Sequence, residues 1–590
     1  MQMCVSVRSP GWVSSRRLFE QKLSDLHKCN NLSHVKQIQA QIIKANLQND
    51  LYVVPKLIAA FSLCRQLELA IKVFDQIQEP NVHLYNTLIR AQIQNSQSSL
   101  AFATFFDMQS NGVFPDNFTY SFLLKACSGK NWFPVVEMIH TQIEKFGFCA
   151  DIFVPNSLID SYSKCGTSGV SAAKKLFGLM GVKDNVSWNS MIGGLVKGGE
   201  LGEARHLFDE MPERDLVSWN IMLDGYAKAG EMLEAFEFFE KMPERNVVSW
   251  SIMVSGFSKA GDMEMARMLF DKMPVKNLVS WTIIICGYAE KGIAKQAIGL
   301  YDDMEKAGLK DEDGSVVSIL AACAESGLLG LGEKVHASME KNRFKCSTLV
   351  SNALVDMYAK CGSLNKAYRV FEGITKKDLV SWNTMLHGLA IHGHGQQALQ
   401  LFIRMKKEGF SPDAVTFVGV LCACSHAGFV KEGLHYFRTM ERNHGVVPQV
   451  EHYGCVVDLL GRGGRLEEAF RLVQSMPVEP NAIIWGTLLG SCRVHNAMEL
   501  AREVLELMVP QEPGNFSLLS NIYSAAGDWE SAASVRLQLR SKGLRKPSGA
   551  SAIEVDNVVH EFKVFDESHP QSDEIYQMVD KVNRDLKEVA

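Results

Sequence analysis

Three features that would assign the chain to a special class are missing from its 590 residues. No apolar run reaches the ~18 residues that a membrane span needs, which argues against an integral membrane protein. The 14 cysteines are too few and too scattered for a disulfide scaffold and are typical of a reduced compartment. Basic charge is not in excess, since 61 Lys and Arg face 66 Asp and Glu and the pI is about 6.4. Because bulk-charge binding of nucleic acid goes with a pI above ~9, any such role here must rest on local contacts.

The sequence also lacks the motifs of common enzymes. It contains no Walker motif, no H-E-x-x-H and no G-x-S-x-G. A zinc deaminase needs H-x-E and P-C-x-x-C to hold its metal and move a proton, and neither occurs. His392 and His394 form an isolated H-x-H, and Cys422 and Cys424 are spaced C-x-C, which is not a zinc spacing. We therefore expect no catalytic activity, no cofactor and no metal site.

The first nineteen residues, MQMCVSVRSPGWVSSRRLF, differ in composition from the rest of the chain. They contain no acidic residue, three arginines and four serines, and they lack the apolar core of a secretory signal. Such an N-terminus is typical of an organellar transit peptide, which we place at residues 1–18; an ordinary frayed terminus is the alternative. Composition separates the two organelles poorly. Our prediction is the mitochondrion, with the chloroplast as the alternative.

A tandem repeat accounts for most of the chain. Residues 185–215 read NVSWNSMIGGLVKGGELGEARHLFDEMPERD, and 216–246 and 247–277 repeat this pattern in units of 31 residues. Each unit reads as two helices, with glycine at the turn between them and proline after the second. A tryptophan recurs at the fourth position, where we expect it to pack in the core and not to stack on a ligand. These tryptophans are Trp188, Trp219, Trp250, Trp281 and Trp382.

Unit 216–246 illustrates the expected helices. The first runs from Val217 to Lys228, Gly230 forms the turn, and the second runs from Met232 to Met242. Apolar residues recur at 3–4 spacing in the second helix, which predicts one buried face. The residues expected on that face are Met232, Ala235, Phe236, Phe239 and Met242.

Units of 31 to 36 residues tile the chain without a linker from about residue 19 to 481. One helical pair cannot bury its apolar face alone, whereas stacked pairs form a continuous core. We therefore expect an all-α fold, a right-handed superhelical solenoid of about 14 helix-turn-helix repeats, and not four globular domains. A tetratricopeptide solenoid is disfavoured, because its period is fixed at about 34 residues.

Two positions of the repeats, the fifth and the last, are polar while their neighbours are apolar and nearly constant. Short amides, hydroxyls and carboxylates suit hydrogen bonding to an unpaired base edge, which predicts one base read by each repeat. Helix capping is the alternative; it accounts for the last position better than for the fifth, which lies inside the first helix. The pairs are Asn86/Asp116, Asn156/Asp184, Asn189/Asp215, Asn220/Asn246, Ser251/Asn277, Thr282/Glu312, Asn352/Asp378 and Asn383/Asp413.

These motifs resemble pentatricopeptide repeats. The resemblance rests on VSWN-x-M-I, on the GY-x-K-x-G turn and on P-x-R-D in the 31-residue units, and on longer units such as FTYSFLLKACS at 118–128. The mixed lengths resemble the plant class in which long and short repeats alternate. The resemblance implies single-stranded RNA as the partner, with the fifth and last residues of each repeat as the base code. It also implies that residues at position two sandwich each base. Position two holds Val186, Val217, Val248, Val279 and Val380.

The resemblance also implies base preferences and a register. Asn with Asp favours U, Asn with Asn favours a pyrimidine, and Ser with Asn favours A. Thr282 with Glu312 departs from the usual Thr with Asp, and we expect a purine there. The chain would run parallel to the RNA and bind one nucleotide per repeat. Unit 450–481 would face the nucleotide that lies four positions upstream of an edited cytidine.

The C-terminal region resembles the E-type extension of this family at 482–546, for example in AIIWGTLLGSCRVHNAMELA. Residues 551–570 alternate around Asp556 and Asn557, which predicts a short β-hairpin before a terminal helix. Residues 547–590 resemble the start of a DYW-type deaminase domain, although Ser548-Gly549 and Ala552 depart from the family pattern.

The predicted function is sequence-specific binding of organellar single-stranded RNA, as a site-recognition factor for C-to-U editing. In this view a DYW-type deaminase or another editing factor is recruited in trans through residues 482–590, and no membrane is involved. One alternative is an RNA-binding factor for splicing, stability or translation. A second is a helical adaptor that binds only proteins.

Overall fold

The computed structural model describes residues 32–127, 132–309, 312–344, 346–495 and 497–507, and then the shorter stretches 516–517, 520–521, 523–524, 527–541, 550–555, 558–563 and 569–589. The expected transit peptide, the first part of the degenerate repeat that begins near residue 19 and the turn at Asp556-Asn557 lie outside these residues. The chain divides into two compact units, residues 1–256 and 257–590.

The described part of the first unit is made of helices that alternate between the first and second helix of successive repeats. The last turn of α14 belongs to the second unit. The helices are α1 (Leu32–Lys44), α2 (Val53–Leu63), α3 (Leu67–Phe74), α4 (Val82–Gln94), α5 (Ser98–Ser110), α6 (Asn117–Ala126), α7 (Phe133–Lys145), α8 (Phe153–Ser163), α9 (Thr167–Leu179), α10 (Asn185–Gly198), α11 (Leu201–Glu210), α12 (Leu216–Ala229), α13 (Met232–Lys241) and α14 (Val247–Ala260).

The second unit continues the alternation and ends in a hairpin and a long helix. Its helices are α15 (Met263–Lys272), α16 (Leu278–Glu290), α17 (Ala294–Lys306), α18 (Asp313–Ser326), α19 (Leu329–Lys341), α20 (Thr348–Lys360), α21 (Leu364–Gly373), α22 (Leu379–Ile391), α23 (Gly395–Lys407), α24 (Ala414–Ala427), α25 (Val430–His444), α26 (Val450–Arg462), α27 (Leu466–Ser475), α28 (Ala482–Val494), α29 (Met498–Leu507), α30 (Trp529–Ser541) and α31 (Ser572–Val589).

The helix ends follow from local sequence chemistry. Helix α12 begins after Asp215, whose side chain caps the first turn, and it ends at Gly230, which has a φ of 80°. Glycine adopts this left-handed conformation without steric cost, so the chain can reverse into α13. Helix α13 ends before Pro243, which cannot continue a helix interior. Within each of the two compact units, the first helix of a repeat packs on the second helix of the same repeat and on the first helix of a neighbouring repeat. The predicted all-α architecture of stacked helical pairs is confirmed.

Five boundaries between successive repeats contain an edge-to-face pair of aromatic rings. Each fourth-position tryptophan packs against a phenylalanine of the preceding second helix, with centroids 4.8–5.1 Å apart and planes at 75–79°. This is the favoured geometry for two aromatic quadrupoles, and it places the tryptophans in packing contacts, as the core interpretation predicts. The pairs are Phe177–Trp188, Phe208–Trp219, Phe239–Trp250, Phe270–Trp281 and Phe371–Trp382.

The buried face of α13 is wider than the 3–4 spacing predicts. Phe236, which the pattern places in the core, is only half-buried, whereas Phe238 is buried. The ring of Phe238 lies 4.7 Å from that of Trp219 and 5.2 Å from that of Phe208. The difference arises because a second helix packs against the preceding repeat as well as against its own first helix, so two arcs of its surface are covered.

A Lys or Arg side chain caps the C-terminal end of several second helices. In each case the residue before the last position donates to backbone carbonyls of that helix end and lies 4.8–5.2 Å from a core phenylalanine ring. Such a cation satisfies carbonyls that the helix leaves unpaired. These residues are Lys183, Arg214, Arg245, Lys276 and Lys377.

The predicted C-terminal hairpin is present. Strand β1 (Ala550–Val555) pairs antiparallel with β2 (Val558–Lys563), with Val555 opposite Val558 and Ala550 opposite Lys563. The terminal helix predicted from about Asp573 is α31. No helix in the described part of the chain is long and apolar enough to span a membrane.

Candidate nucleic-acid interface

The fifth and last residues of the repeats meet in space, although 26 to 30 residues separate them in sequence. In six repeats the Asn Nδ2 donates to the Oδ1 of the last residue. The N···O distances are 2.9 Å for Asn86/Asp116, 3.1 Å for Asn156/Asp184, 3.3 Å for Asn189/Asp215, 3.4 Å for Asn220/Asn246, 3.1 Å for Asn352/Asp378 and 3.1 Å for Asn383/Asp413.

The remaining two pairs are different. Thr282 donates its hydroxyl to the Leu278 carbonyl within its own helix, at 2.8 Å, and Glu312 makes no side-chain capping bond to α18. Ser251 and Asn277 lie in the same repeat, but the boundary between the two compact units of the chain falls between them. Ser251 is buried on α14, and Asn277 caps α16.

Seven of the eight last residues, all except Glu312, also cap the next first helix with their side chains, as the capping interpretation of this position predicts. Asp184 Oδ1 accepts from the backbone N–H of Ser187 at 2.8 Å and from the Ser187 hydroxyl at 2.8 Å, while Asp184 N–H donates back to that hydroxyl. This reciprocal arrangement is a capping box. One side chain therefore performs two tasks: it begins the first helix of the next repeat, and it holds the Asn of its own repeat.

Hydrogen bonding keeps these carboxylates ionised. Burial by itself would raise the pKa of each aspartate, but the bonds from the following backbone N–H, from its hydroxyl and from the Asn amide outweigh it. The net result is a pKa below the ordinary value of 3.8. This applies to Asp184, Asp215, Asp378 and Asp413.

A third member of the network was not predicted from the sequence. The hydroxyl at position three of the next repeat is fully buried, and in three repeats it reaches the Asn Oδ1 at 2.7 Å. The recurring Ser of VSW is the signal that could have identified it. The three contacts are Thr119 to Asn86, Ser249 to Asn220 and Thr416 to Asn383.

In three other repeats the hydroxyl remains with the capping aspartate. Ser187, Ser218 and Ser381 donate to their own Asp, and the Oδ1 atoms of Asn156, Asn189 and Asn352 are buried without a hydrogen-bond partner. The networks thus fall into two types, which we call closed and open, according to whether the hydroxyl contacts the Asn carbonyl.

An exposed aliphatic row accompanies the polar pairs. The position-two valines have 53–57% of their surface exposed, although valine is usually buried in a packed protein. Each stands three residues before a fifth-position side chain on the same first helix, so the aliphatic and polar groups are neighbours on that helix. The row consists of Val186, Val217, Val248, Val279 and Val380.

The residues considered as metal ligands have other contacts. His392 Nε2 lies 2.7 Å from the Ala359 carbonyl, and Cys422 Sγ lies 3.8 Å from His426 Nε2. Within the described stretches, no group of three or more His, Cys, Asp or Glu side chains is arranged to hold a metal ion.

Comparison with family models identifies the repeats. Residues 80–129 and 377–426 match the PPR repeat family, and residues 495–554 match the E motif. The single PPR repeat matches residues 186–216, 217–247, 248–278, 279–309, 350–379, 415–444 and 451–479. The first three of these begin one residue after the units defined above, so the repeat phase agrees to within one residue.

Known proteins match over the whole length of the chain. The pentatricopeptide repeat-containing protein At3g29230 of Arabidopsis thaliana is 65% identical over 98% of this chain and 97% of its own. A putative pentatricopeptide repeat-containing protein of the same plant, At5g59200, described as chloroplastic, is 41% identical over 96% of this chain and 92% of its own.

The comparison with solved structures finds the pentatricopeptide repeat protein PPR10 in complex with an 18-nt psaJ RNA element. The match has a TM-score of 0.47 and 19% identity, and it covers 92% of this chain and 83% of that chain.

The repeat matches, the E motif and the 65%-identical relative agree with the resemblance found in the sequence. The chain belongs to the pentatricopeptide repeat protein family, in the class whose repeats vary in length and are followed by an E motif.

Proposed function

We propose that the protein binds single-stranded RNA sequence-specifically and reads one base with each polar pair. The observation that carries this proposal is the series of six Asn side chains, each held by an acceptor from the end of its own repeat. The same arrangement recurs in these six repeats, while the chemistry of the pair varies among the eight. A constant scaffold with a variable polar pair is what a one-base-per-repeat reader requires.

The chemistry of the pair suits a Watson–Crick edge. An Asn amide has two N–H donors, and in each pair one of them is engaged with the last residue, which leaves the second for a base. A carboxylate kept ionised by its depressed pKa accepts strongly from a base N–H or from a bridging water. The exposed valines provide apolar surface for the faces of unstacked bases. Together these groups give selectivity that does not depend on net charge.

We further propose that the bound RNA is an editing substrate and that residues 482–590 recruit a deaminase in trans. The match of residues 495–554 to the E motif supports this role. In this proposal the chain selects the site and a separate protein supplies the zinc chemistry. The proposed organisation is a transit peptide at 1–18, repeats at 19–481, the E-type extension at 482–546 and, at 547–590, a segment that resembles the start of a DYW domain.

The proposed location is an organelle, the mitochondrion or alternatively the chloroplast. Relatives at 41% and 32% identity have names that include chloroplastic and chloroplastic/mitochondrial, respectively, which supports an organelle without distinguishing the two. The N-terminal composition agrees with import.

Sequencing of organellar RNA from a null mutant tests the function directly. A site-recognition factor should leave one or a few cytidines unedited and transcript abundance otherwise unchanged. If an intron is no longer spliced or a transcript terminus is no longer protected while editing is intact, the chain would instead be a factor for RNA splicing or stability. If neither changes and the purified chain does not bind the affected region, RNA is not its partner.

A further inference from the structure

The two types of network differ most clearly in adjacent repeats. Asn189 is paired with the carboxylate of Asp215, and the nearby Ser218 hydroxyl contacts Asp215 alone. Asn220 is paired with the neutral amide of Asn246, and the Ser249 hydroxyl lies 2.7 Å from Asn220 Oδ1. Both serines are fully buried, and both hydroxyls lie 3.0 Å from the Oδ1 of their own cap residue. They differ because Ser249 also reaches Asn220, at a shorter distance.

The charge of the last residue does not decide this difference, because the hydroxyls of Thr119 and Thr416 reach an Asn carbonyl although the last residue of those pairs is an aspartate. The Asn220 pair is distinguished by its acceptor. Asn246 Oδ1 accepts from the Ser249 backbone N–H at 3.0 Å and from Asn220 Nδ2 at 3.4 Å, the longest of the six Asn contacts. It is a neutral amide oxygen with two lone pairs, whereas a carboxylate has about four acceptor sites and is the stronger acceptor.

The consequence concerns the orientation of the base-reading amide. A carboxylate only accepts, so Asp215 by itself forces the NH2 group of Asn189 to face it. Asn246 meets Asn220 Nδ2 with the oxygen of a neutral amide at 3.4 Å, so by itself it holds that orientation of Asn220 only weakly. The Ser249 hydroxyl holds it at the other end, because it donates to the carbonyl of the Asn220 amide at 2.7 Å.

We infer that Ser249 is a positioning residue that determines base specificity at the repeat of Asn220. Through the repeat boundary it fixes which end of the Asn220 amide faces the RNA, a task that the carboxylate performs in the Asp-containing pairs. The inference rests on the proposed RNA readout. Thr119 and Thr416 make the same 2.7 Å contact to Asn86 and Asn383, which indicates that threonine fits this position.

The test uses the full chain and a set of single-stranded RNAs that carry each of the four bases at each position. The nucleotides read by Asn189 and Asn220 are first identified as those where Asn189→Ala and Asn220→Ala remove the base preference. Affinities are then measured for Ser249→Ala and for the matched control Ser218→Ala, together with helicity. Both variants lose the hydroxyl that accepts from the cap backbone N–H, at 3.3 Å and 2.9 Å respectively, so their capping losses are comparable.

Ser249→Ala should lower the pyrimidine-over-purine ratio at the nucleotide of Asn220 by about 3- to 10-fold, the scale of one hydrogen bond between neutral groups. The ratio at the nucleotide of Asn189 should stay within about 2-fold, and Ser218→Ala should leave both ratios within that range. Ser249→Thr should restore the wild-type ratio. With Asn246→Asp in the background, Ser249→Ala should lose its effect, because the carboxylate then orients Asn220.

An unchanged ratio in Ser249→Ala, or an equal loss at both nucleotides, overturns the inference. Should Ser249→Ala not fold, Ser249→Cys gives the same comparison, because it keeps the volume and donates only weakly. A wild-type chain with no base preference at either nucleotide overturns the proposed readout itself, which separates the two failures.

Discussion

Asn86 Nδ2 lies 2.9 Å from Asp116 Oδ1, and Asp116 is at the same time the N-cap of the helix that begins the next repeat. Each of these amides is therefore attached to the boundary between two repeats. In the proposed function, a change in the pair alters a local contact with RNA, whereas a change in the stacking alters the spacing of all the pairs that follow. This relationship underlies the predictions below.

Removing two neighbouring amides should weaken RNA binding without unfolding the chain. Asn189→Ala with Asn220→Ala removes one side-chain donor from each of two repeats, and each lost base contact costs on the order of 1–3 kcal/mol. Affinity for the cognate RNA should therefore fall at least about 10-fold, while far-ultraviolet circular dichroism stays unchanged.

The matched control for this double variant changes two amides that lie away from the pairs. Gln397→Ala with Gln400→Ala alters exposed glutamines of the second helix α23 and should leave RNA affinity at the wild-type value. Equal affinity for wild type and for the Asn189/Asn220 variant would reject these residues as readers.

The purified chain should deaminate no cytidine, because the sequence lacks the ligands of a deaminase zinc site. Incubation with an RNA that contains the target site, followed by sequencing, measures this directly, and metal analysis should find no stoichiometric zinc. Conversion of cytidine by the isolated chain contradicts the recruitment proposal.

Removal of residues 482–590 should separate binding from editing. The truncated chain keeps the repeats up to unit 450–481 and should retain much of its RNA affinity. It should not restore editing when expressed in a null mutant, whereas the full chain should. Restoration of editing by the truncated chain would show that the C-terminal region does not recruit the deaminase.

The register of the repeats predicts the RNA site. With the base preferences and the −4 register of unit 450–481 that the family resemblance implies, counting back one nucleotide per repeat gives U-N-U-U-Y-A-R-N-U-U from −15 to −6 upstream of the edited cytidine. The −10 adenine, opposite Ser251/Asn277, is the most informative position. Ser251→Asn with Asn277→Asp should shift the preference there toward U, measured with RNAs that differ only at −10. A preference that remains at A would show that the code or the register does not transfer to this chain.

Acid should destabilise the repeats through the capping aspartates. A carboxylate with a depressed folded-state pKa contributes stability that is present above its unfolded pKa and is lost as the pH falls through the folded value. The pKa of Asp378 lies below the ordinary 3.8 because of bonds from Ser381 and Asn352 that outweigh burial. The urea midpoint of helicity should thus hold from pH 7 to about 5 and decline below about 4.

Asp378→Asn tests the origin of this acid sensitivity. The amide keeps a capping oxygen, as Asn277 does for Ser280 at 2.9 Å, but it has no titrating proton. The variant should be less stable than wild type at pH 7, and the difference between the two should shrink as the pH falls. A constant difference between pH 7 and 3 would show that the ionisation of Asp378 contributes nothing.

The polar pairs could be predicted from the sequence because the repeat itself supplies the comparison. The fifth residue lies on one face of the first helix, and the last residue stands where the next first helix begins. Stacking of the repeats brings these two points together in six of the eight predicted pairs. The role of the hydroxyl could not be predicted in this way, because Ser218 and Ser249 occupy the same position of the same VSW motif.

The sequence by itself determined the helical pairs, the caps, the glycine turns and the residues that form each pair, since these follow from local propensity and a regular period. Only the tertiary structure decided that Phe238 is more buried than Phe236 and that Ser249 reaches Asn220 while Ser218 stays with Asp215. The physical reason is that burial between repeats and the choice of a hydrogen-bond acceptor depend on atoms contributed by a neighbouring unit. Their positions, and the lone pairs that they leave free, are set by packing and not by the order of residues within one repeat.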